Sequence, residues 1–158
     1  MPILWQANDM TQRTGKGEIL TEIILETFRL NGVLLDAGNQ LTKPHGLTSA
    51  RWQVMGAIDH EGHPMTVAQI ARRMGLSRQA VQRIVHDLVK LEMIDLEANQ
   101  DHKRAPLVVL TERGRKTIGK INISQANWVN ELAKQVSESD LKKTLLAMQQ
   151  IRRDADAD

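Results

Sequence analysis

The side chains with the clearest chemistry form a basic and amide-bearing set on one predicted helix. A helix over residues 78–91, which Ser77 would cap, places two arginines, two glutamines and a histidine on one face: Arg78, Gln79, Gln82, Arg83 and His86. A guanidinium group binds a guanine edge or a phosphate, and a glutamine amide can make a two-point contact with adenine. The pattern therefore indicates a helix that reads DNA, although a solvated helix face has a similar composition.

Two short helices joined by a tight turn, over residues 66–91, would position this face. Thr66 and Ser77 are N-cap residues, and Gly75 has the conformational freedom that ends the first helix. The second helix carries an apolar stripe that can pack on the first: Val81, Ile84, Val85, Leu88 and Leu91. This spacing is typical of a helix-turn-helix. Thr66 and Ser77 would also offer hydroxyl and backbone donors to DNA phosphates.

Two apolar segments with a charged loop between them follow the second helix, over residues 94–110. Residues 94–98 and 105–110 have the composition of strands, and the loop over 99–104 is polar and basic. A strand pair with a basic tip after a DNA-reading helix is typical of the wing of a winged helix, although an ordinary surface hairpin has the same pattern. The candidate DNA contacts in the tip are His102, Lys103 and Arg104.

Apolar periodicity predicts further helices on both sides of this unit. We expect one over residues 18–37 that ends at Gly38-Asn39, one from Thr111 to about Val136, and a last one after Ser137. The first has a large apolar surface, which favours a partner interface. We also expect an irregular lead-in over residues 1–16, which contains Trp5, and a frayed tail over 152–158.

Composition places the chain among soluble globular proteins. The 158 residues carry a net charge of only +2 and no cysteine, which excludes disulfides and thiolate metal sites. Between Thr66 and Lys120 there are 11 Lys and Arg against 6 Asp and Glu, so the basic charge is concentrated in this segment. Without an apolar run of membrane-span length or a secretory signal pattern, we expect a cytoplasmic protein with no membrane partner.

The sequence contains no pattern typical of an enzyme or a cofactor site. His60 and His63 lie three residues apart, with Glu61 as the only nearby carboxylate. A metal site needs three or four convergent ligands, so we expect no metal and no cofactor. Phosphate-binding glycine loops and nucleophile-elbow serines are also missing from the sequence.

The order of these elements resembles the MarR family of bacterial transcription regulators. The similarity is carried by LTSARWQVM, IARRMGLSRQAVQRIVHDLVKLEMI and RAPLVVLTERGRK. It implies a mainly α (α+β) fold, with a winged helix-turn-helix lobe over residues 47–119 and N- and C-terminal dimerisation helices over 18–46 and 120–155. It also implies a homodimer that binds a palindromic operator in double-stranded DNA, most often as a repressor.

The wing departs from the pattern of that family at one position. The family commonly has Asp two residues before the wing arginine, where this chain has His102, and Asp101 lies one place earlier. Asp101 could brace Arg104 from the shifted position. Otherwise the wing is more mobile, or His102 itself contacts a phosphate.

The resemblance also implies a small aromatic or anionic effector that releases the DNA. The candidate ligand-binding residues are His45, Trp52 and Met55. Trp52 and Met55 also lie on the apolar stripe of a helix that is predicted to begin at Thr48 or Ser49 and to end near His60, and such positions are typical of core residues. The alternative function from another class is a winged-helix protein-interaction module without its own operator. Such modules generally lack exposed basic and amide side chains on the second helix. A metal-dependent regulator would depend on the histidine pair alone.

Overall fold

The structure is a computed structural model that describes residues 12–157. Most of the predicted lead-in, with Trp5, therefore lies outside the described residues. Within residues 12–157, six α-helices, a short 3-10 helix (Lys43–His45) and three strands occur: α1 Gly15–Thr42, α2 Ser49–Glu61, β1 Met65–Thr66, α3 Val67–Met74, α4 Arg78–Lys90, β2 Ile94–Glu97, β3 Leu107–Leu110, α5 Glu112–Ala133 and α6 Glu138–Ala155. The predicted mainly α fold with a small sheet is confirmed.

Helix α1 is longer than the sequence predicts, because Gly38-Asn39 does not end it. The hydroxyl of the buried Thr42 lies 2.8 Å from the carbonyl oxygen of Gly38, and the Lys43 N–H donates to the carbonyl of Asn39. The Asn39 side chain instead accepts a hydrogen bond of 2.8 Å from the Ser49 N–H. The chain turns only at Gly46, whose φ of 69° is in the left-handed region.

The apolar side chains of α1 are largely exposed. They are Ile19, Leu20, Ile23, Ile24, Phe28, Leu30, Val33 and Leu34, and Phe28 is 70% exposed. Monomeric soluble proteins rarely expose contiguous apolar patches of this kind, which usually mark an interaction site. The described residues do not cover these side chains of α1, the helix for which the sequence predicts a partner interface.

The lobe that follows α1 contains an antiparallel sheet with strand order β1-β3-β2. Met65 pairs with Val108, and Ile94 pairs with Leu110. Strands β2 and β3 are shorter than predicted, because the backbone groups of Ala105 bond within the loop and Pro106 has no N–H to donate. The core under the sheet is built from completely buried side chains: Val54, Met55, Ile70, Val81, Leu88, Ile94, Val108 and Ile121.

The two C-terminal helices have the N-cap residues that the sequence predicts, Thr111 and Ser137, but they end at other residues than predicted. Ser137 caps α6 by accepting the Asp140 N–H at 3.1 Å, but α5 ends at Ala133 rather than near Val136. The predicted fraying from residue 152 is wrong, since α6 continues to Ala155 and Arg153 donates to the Gln150 side chain at 2.9 Å. None of the helices in the described residues is long and apolar enough to cross a membrane.

Candidate nucleic-acid interface

The helix-turn-helix forms where the sequence predicts it, because each of its ends is satisfied locally. Thr66 Oγ accepts the Gln69 N–H at 3.3 Å, and Gln69 Oε1 accepts the Thr66 N–H at 2.7 Å, which together make a capping box. Gly75 ends α3 with a φ of 63°. Ser77 Oγ then caps α4 by accepting the Ala80 N–H at 3.1 Å.

Helix α4 has one buried face and one exposed face. Val81, Val85 and Leu88 are at most 1% exposed and attach the helix to the lobe. The opposite face is exposed and carries the five polar side chains named from the sequence: Arg78, Gln79, Gln82, Arg83 and His86. Packing therefore leaves the amide and guanidinium groups free to meet a ligand.

A shallow groove of about 660 Å³ runs along this exposed face. The structure brings into it six of the residues predicted to contact DNA: Thr66, Arg78, Gln79, Gln82, Arg83 and Arg104. It also brings in His86 and Pro106, which were not among the predicted contacts although His86 was already placed on the α4 face. Ser77, His102 and Lys103 are exposed but do not line the groove.

In the part of the chain that the structure describes, the cations of the groove and wing have no acidic partner. Within residues 12–157, no ion pair or side-chain hydrogen bond engages Arg78, Arg83, Lys103 or Arg104. Three other arginines of the lobe, Arg51, Arg73 and Arg113, form ion pairs, as in the 3.1 Å pair of Arg113 with Glu92, whereas Arg72 and Arg115 form none with the described residues. The groove therefore has unpaired positive charge beside hydrogen-bonding amides, which suits a polyanion.

Polar contacts with α2 help to hold the two helices of the motif in place. Arg51 on α2 forms a 3.3 Å ion pair with Asp87 on α4. Arg73 on α3 pairs with Glu61 and donates at 2.9 Å to Nδ1 of His60. Since a guanidinium group can only donate, that ring nitrogen is the acceptor.

His60 and His63, the two histidines that lie three residues apart, both contact other protein groups. His60 accepts from Arg73, and the Nδ1 atom of His63 lies 2.9 Å from the carbonyl oxygen of Pro64. Across the part of the chain that the structure describes, no group of three or more His, Cys, Asp or Glu side chains could hold a metal ion.

Comparison with known proteins identifies the family. A family model described as the MarR family matches residues 45–105, which include the helix-turn-helix and most of the wing. An uncharacterized protein of Mycobacterium tuberculosis is 34% identical over 136 residues, covering 82% of this chain and 94% of that protein. The chain belongs to the MarR family.

Solved structures of MarR-family proteins share the fold. AbsC, a MarR family transcriptional regulator from Streptomyces coelicolor, superposes with a TM-score of 0.77 at 19% identity, covering 93% of this chain and 99% of that one. Staphylococcus aureus MarR in complex with salicylate and kanamycin superposes with a TM-score of 0.70 at 18% identity, covering 87% and 93%. MarR-family regulators are DNA-binding transcription factors and not enzymes, so the predicted class is confirmed.

At the position where the wing departs from the MarR-family pattern, the structure contradicts one of the three alternatives. Asp101 forms no ion pair with Arg104 among the described residues, so the proposed brace from the shifted position is wrong. The side chain of Asn99 holds the loop instead, by donating to the carbonyl of Ala105 and accepting from the N–H groups of Asp101 and His102. Sequence reasoning treated Asn99 only as part of a polar loop.

The candidate effector residues have different surroundings. Trp52 is half-buried and lines a cleft of about 450 Å³ together with Arg73 and Asn122. Met55 is completely buried in the core and does not line that cleft, which agrees with the core reading of its helix stripe. His45 is half-buried within the 3-10 helix that follows α1.

Proposed function

We propose that this protein is a homodimeric, sequence-specific DNA-binding regulator that represses transcription by occupying a palindromic operator. The observation that carries the proposal is the groove along α4, where exposed Gln and Arg side chains meet Arg104 of the wing without acidic partners. A protein-interaction module would have no use for this array, so the groove argues against that alternative.

The positions of the side chains in and beside the groove suggest a different DNA contact for each group of residues. Gln79, Gln82 and Arg83 lie on the first two turns of α4, which in a helix-turn-helix enter the major groove and contact base edges. Arg78, together with the helix N-termini at Thr66 and Ser77, would bind the flanking phosphates. His102, Lys103 and Arg104 would follow the DNA backbone beyond the major groove.

Exposed apolar side chains on two helices support the homodimer. Helix α1 exposes the stripe described above, and α6 exposes Leu141, Leu145, Leu146 and Met148. A two-fold pairing through such surfaces would cover them and would relate two identical recognition helices. Those helices should then lie about 34 Å apart, which matches successive major grooves on one side of B-DNA.

Selection of bound sequences from random DNA tests the function directly. We expect enrichment of an inverted repeat with half-sites about 10 base pairs apart. If the dimer neutralises roughly eight phosphates, log affinity should fall against log salt with a slope near −7. Failure to enrich any sequence, together with an affinity that does not respond to salt, would reject the proposal.

Two arginine variants distinguish the contribution of the groove to operator affinity from the effect of net surface charge. Arg83→Ala should weaken binding to the selected operator by about 1–3 kcal/mol, since its side chain is unpaired and lines the groove. Arg113→Ala is the matched control, because it removes the same charge from a side chain that already pairs with Glu92 outside the groove. Equal losses in the two variants would show that only net charge matters.

For the effector, we propose a small aromatic acid that binds in the cleft beside Trp52. The cleft combines the indole ring of Trp52, which suits an aromatic ring, with the Arg73 guanidinium group, to which the acid group would bind in place of Glu61; the Asp59 carboxylate also lines the cleft. Staphylococcus aureus MarR, which has the same fold, forms a complex with salicylate. Salicylate should raise the melting temperature of the wild type and not that of Trp52→Ala. A wild-type melting temperature that no phenolic acid raises would contradict the effector proposal and leave the DNA-binding proposal standing.

A further inference from the structure

The wing loop over residues 98–106 is closed by one side chain. Asn99 Nδ2 donates to the carbonyl oxygen of Ala105 at 2.9 Å. Its Oδ1 accepts from the N–H groups of Asp101 at 3.1 Å and His102 at 3.3 Å. Asn99 is half-buried, whereas the residues of the tip from 100 to 104 are exposed.

Little else holds the tip in its conformation. Within the loop, the Ala105 N–H donates to the carbonyl oxygen of His102 at 2.9 Å, and this is a single backbone bond. Lys103 and Arg104 have no ion pair with any described residue. Apart from this backbone bond, the loop that carries the two cations is held by the three hydrogen bonds of the Asn99 carboxamide.

We propose that Asn99 is a positioning residue for DNA binding, which acts through Lys103 and Arg104 without touching DNA. A carboxamide suits this role because it has a donor for the Ala105 carbonyl and an acceptor for the two N–H groups. The inference deepens the proposed function, since it assumes that the wing cations bind the DNA backbone.

The expected effect follows from the population of the ordered loop. When only a fraction of the molecules has a binding-competent wing, the apparent dissociation constant rises by the inverse of that fraction. Three lost hydrogen bonds would reduce an ordered wing to a minor population, so Asn99→Ala should weaken operator binding by up to about tenfold. The loss cannot exceed that of Lys103→Ala/Arg104→Ala, because the brace acts only through these two side chains.

A double-mutant cycle tests this coupling with the full-length protein and its selected operator. Asn99→Ala added to Lys103→Ala/Arg104→Ala should cause no further loss of affinity, because the groups that the brace positions are already missing. A purely structural role would lower affinity or stability in both backgrounds. Losses that multiply, or an Asn99→Ala variant with wild-type affinity, would overturn the inference.

Backbone mobility tests the same brace without DNA. In Asn99→Ala, the NMR order parameters of residues 100–104 should fall toward the flexible range, below about 0.6, while the melting temperature changes little. Asn99→Asp retains the acceptor oxygens and should leave Asp101 and His102 more ordered than in the alanine variant. A wing that stays rigid in Asn99→Ala would refute the brace even if the wild type binds DNA as proposed. Absence of DNA binding by the wild type would instead refute the proposed function.

Discussion

Two glycines in α5 should respond to the same substitution with opposite signs. Gly114 is buried, and a Cβ added to it would lie 2.0 Å from the carbonyl oxygen of Met93. Gly119 is exposed, five residues further along the helix, and a Cβ there meets nothing within 4 Å. Gly114→Ala should therefore destabilise the protein, and Gly119→Ala should stabilise it.

The size of the first effect follows from what must move. Met93 immediately precedes β2, and its carbonyl oxygen accepts the Thr111 N–H at 3.1 Å. The carbonyl group therefore cannot move away from an added Cβ without disturbing the junction of the wing with α5. Overpacking lowers the free energy of unfolding by about 1–3 kcal/mol. Because the group in the way is a backbone carbonyl and not a flexible side chain, Gly114→Ala should cost near the upper end of that range, about 3 kcal/mol. For a chain of 158 residues, this lowers the melting temperature by about 6–12 °C.

The second effect is the intrinsic helix preference alone. Alanine is favoured over glycine in an exposed helix interior by about 0.5–1 kcal/mol, because glycine has more conformational entropy to lose. Gly119→Ala should therefore raise the melting temperature by about 1–4 °C. Because both sites lie in one helix, a general effect of substitution on α5 cannot produce opposite signs.

Thermal unfolding followed by circular dichroism at 222 nm measures both variants. The protein concentration must be the same throughout, since the stability of the proposed homodimer would depend on it. Urea unfolding should place the two variants on either side of the wild type in the same order. A Gly114→Ala protein at least as stable as the wild type would show that α5 and Met93 do not approach each other in this way.

Substitutions at three further positions test other parts of the structure. Thr111→Val removes a 2.9 Å cap to the Gly114 N–H and a 2.8 Å bond to the Glu92 carbonyl, and should lower the free energy of unfolding in urea by about 1–2 kcal/mol. Thr111→Ser should recover most of that loss. Gly75→Ala should cost about 1–2 kcal/mol from its φ of 63° alone, and Gly75→Asn should cost less; equal stabilities would contradict this. Phe28→Glu should convert the proposed homodimer into monomers in sedimentation experiments, whereas Phe28→Leu should not, because Phe28 lies on the exposed stripe of α1.

Much of the DNA-reading unit could be predicted from the sequence because its signals are local. A cap residue bonds to a backbone group three residues away, as Thr66 does with Gln69 and Ser77 does with Ala80. The left-handed turn at Gly75 depends on one residue, and the apolar stripe of α4 depends on helical spacing. Each of these features lies within a few positions, so the residue types carry it without knowledge of the fold.

The features that the sequence did not predict depend on groups that are distant in the chain or have several possible partners. Asn39 has the composition of a helix end, but its side chain accepts the N–H of Ser49 ten residues later, and α1 continues to Thr42. For the wing loop, Asp101 was the one brace that the sequence suggested, and only the three-dimensional arrangement shows that the Asn99 side chain bonds to the loop backbone.

The sequence by itself determined the helix-turn-helix, the exposed chemistry of its second helix and the strand composition of the wing. Only the tertiary structure decided that Arg104 lies in the same groove as Gln82 and Arg83, twenty residues or more away along the chain. That placement depends on the pairing of β2 with β3 and on the packing of α4 against the lobe. Hydrogen-bond geometry between strands and volume filling in the core set it, and neither can be read from local spacing.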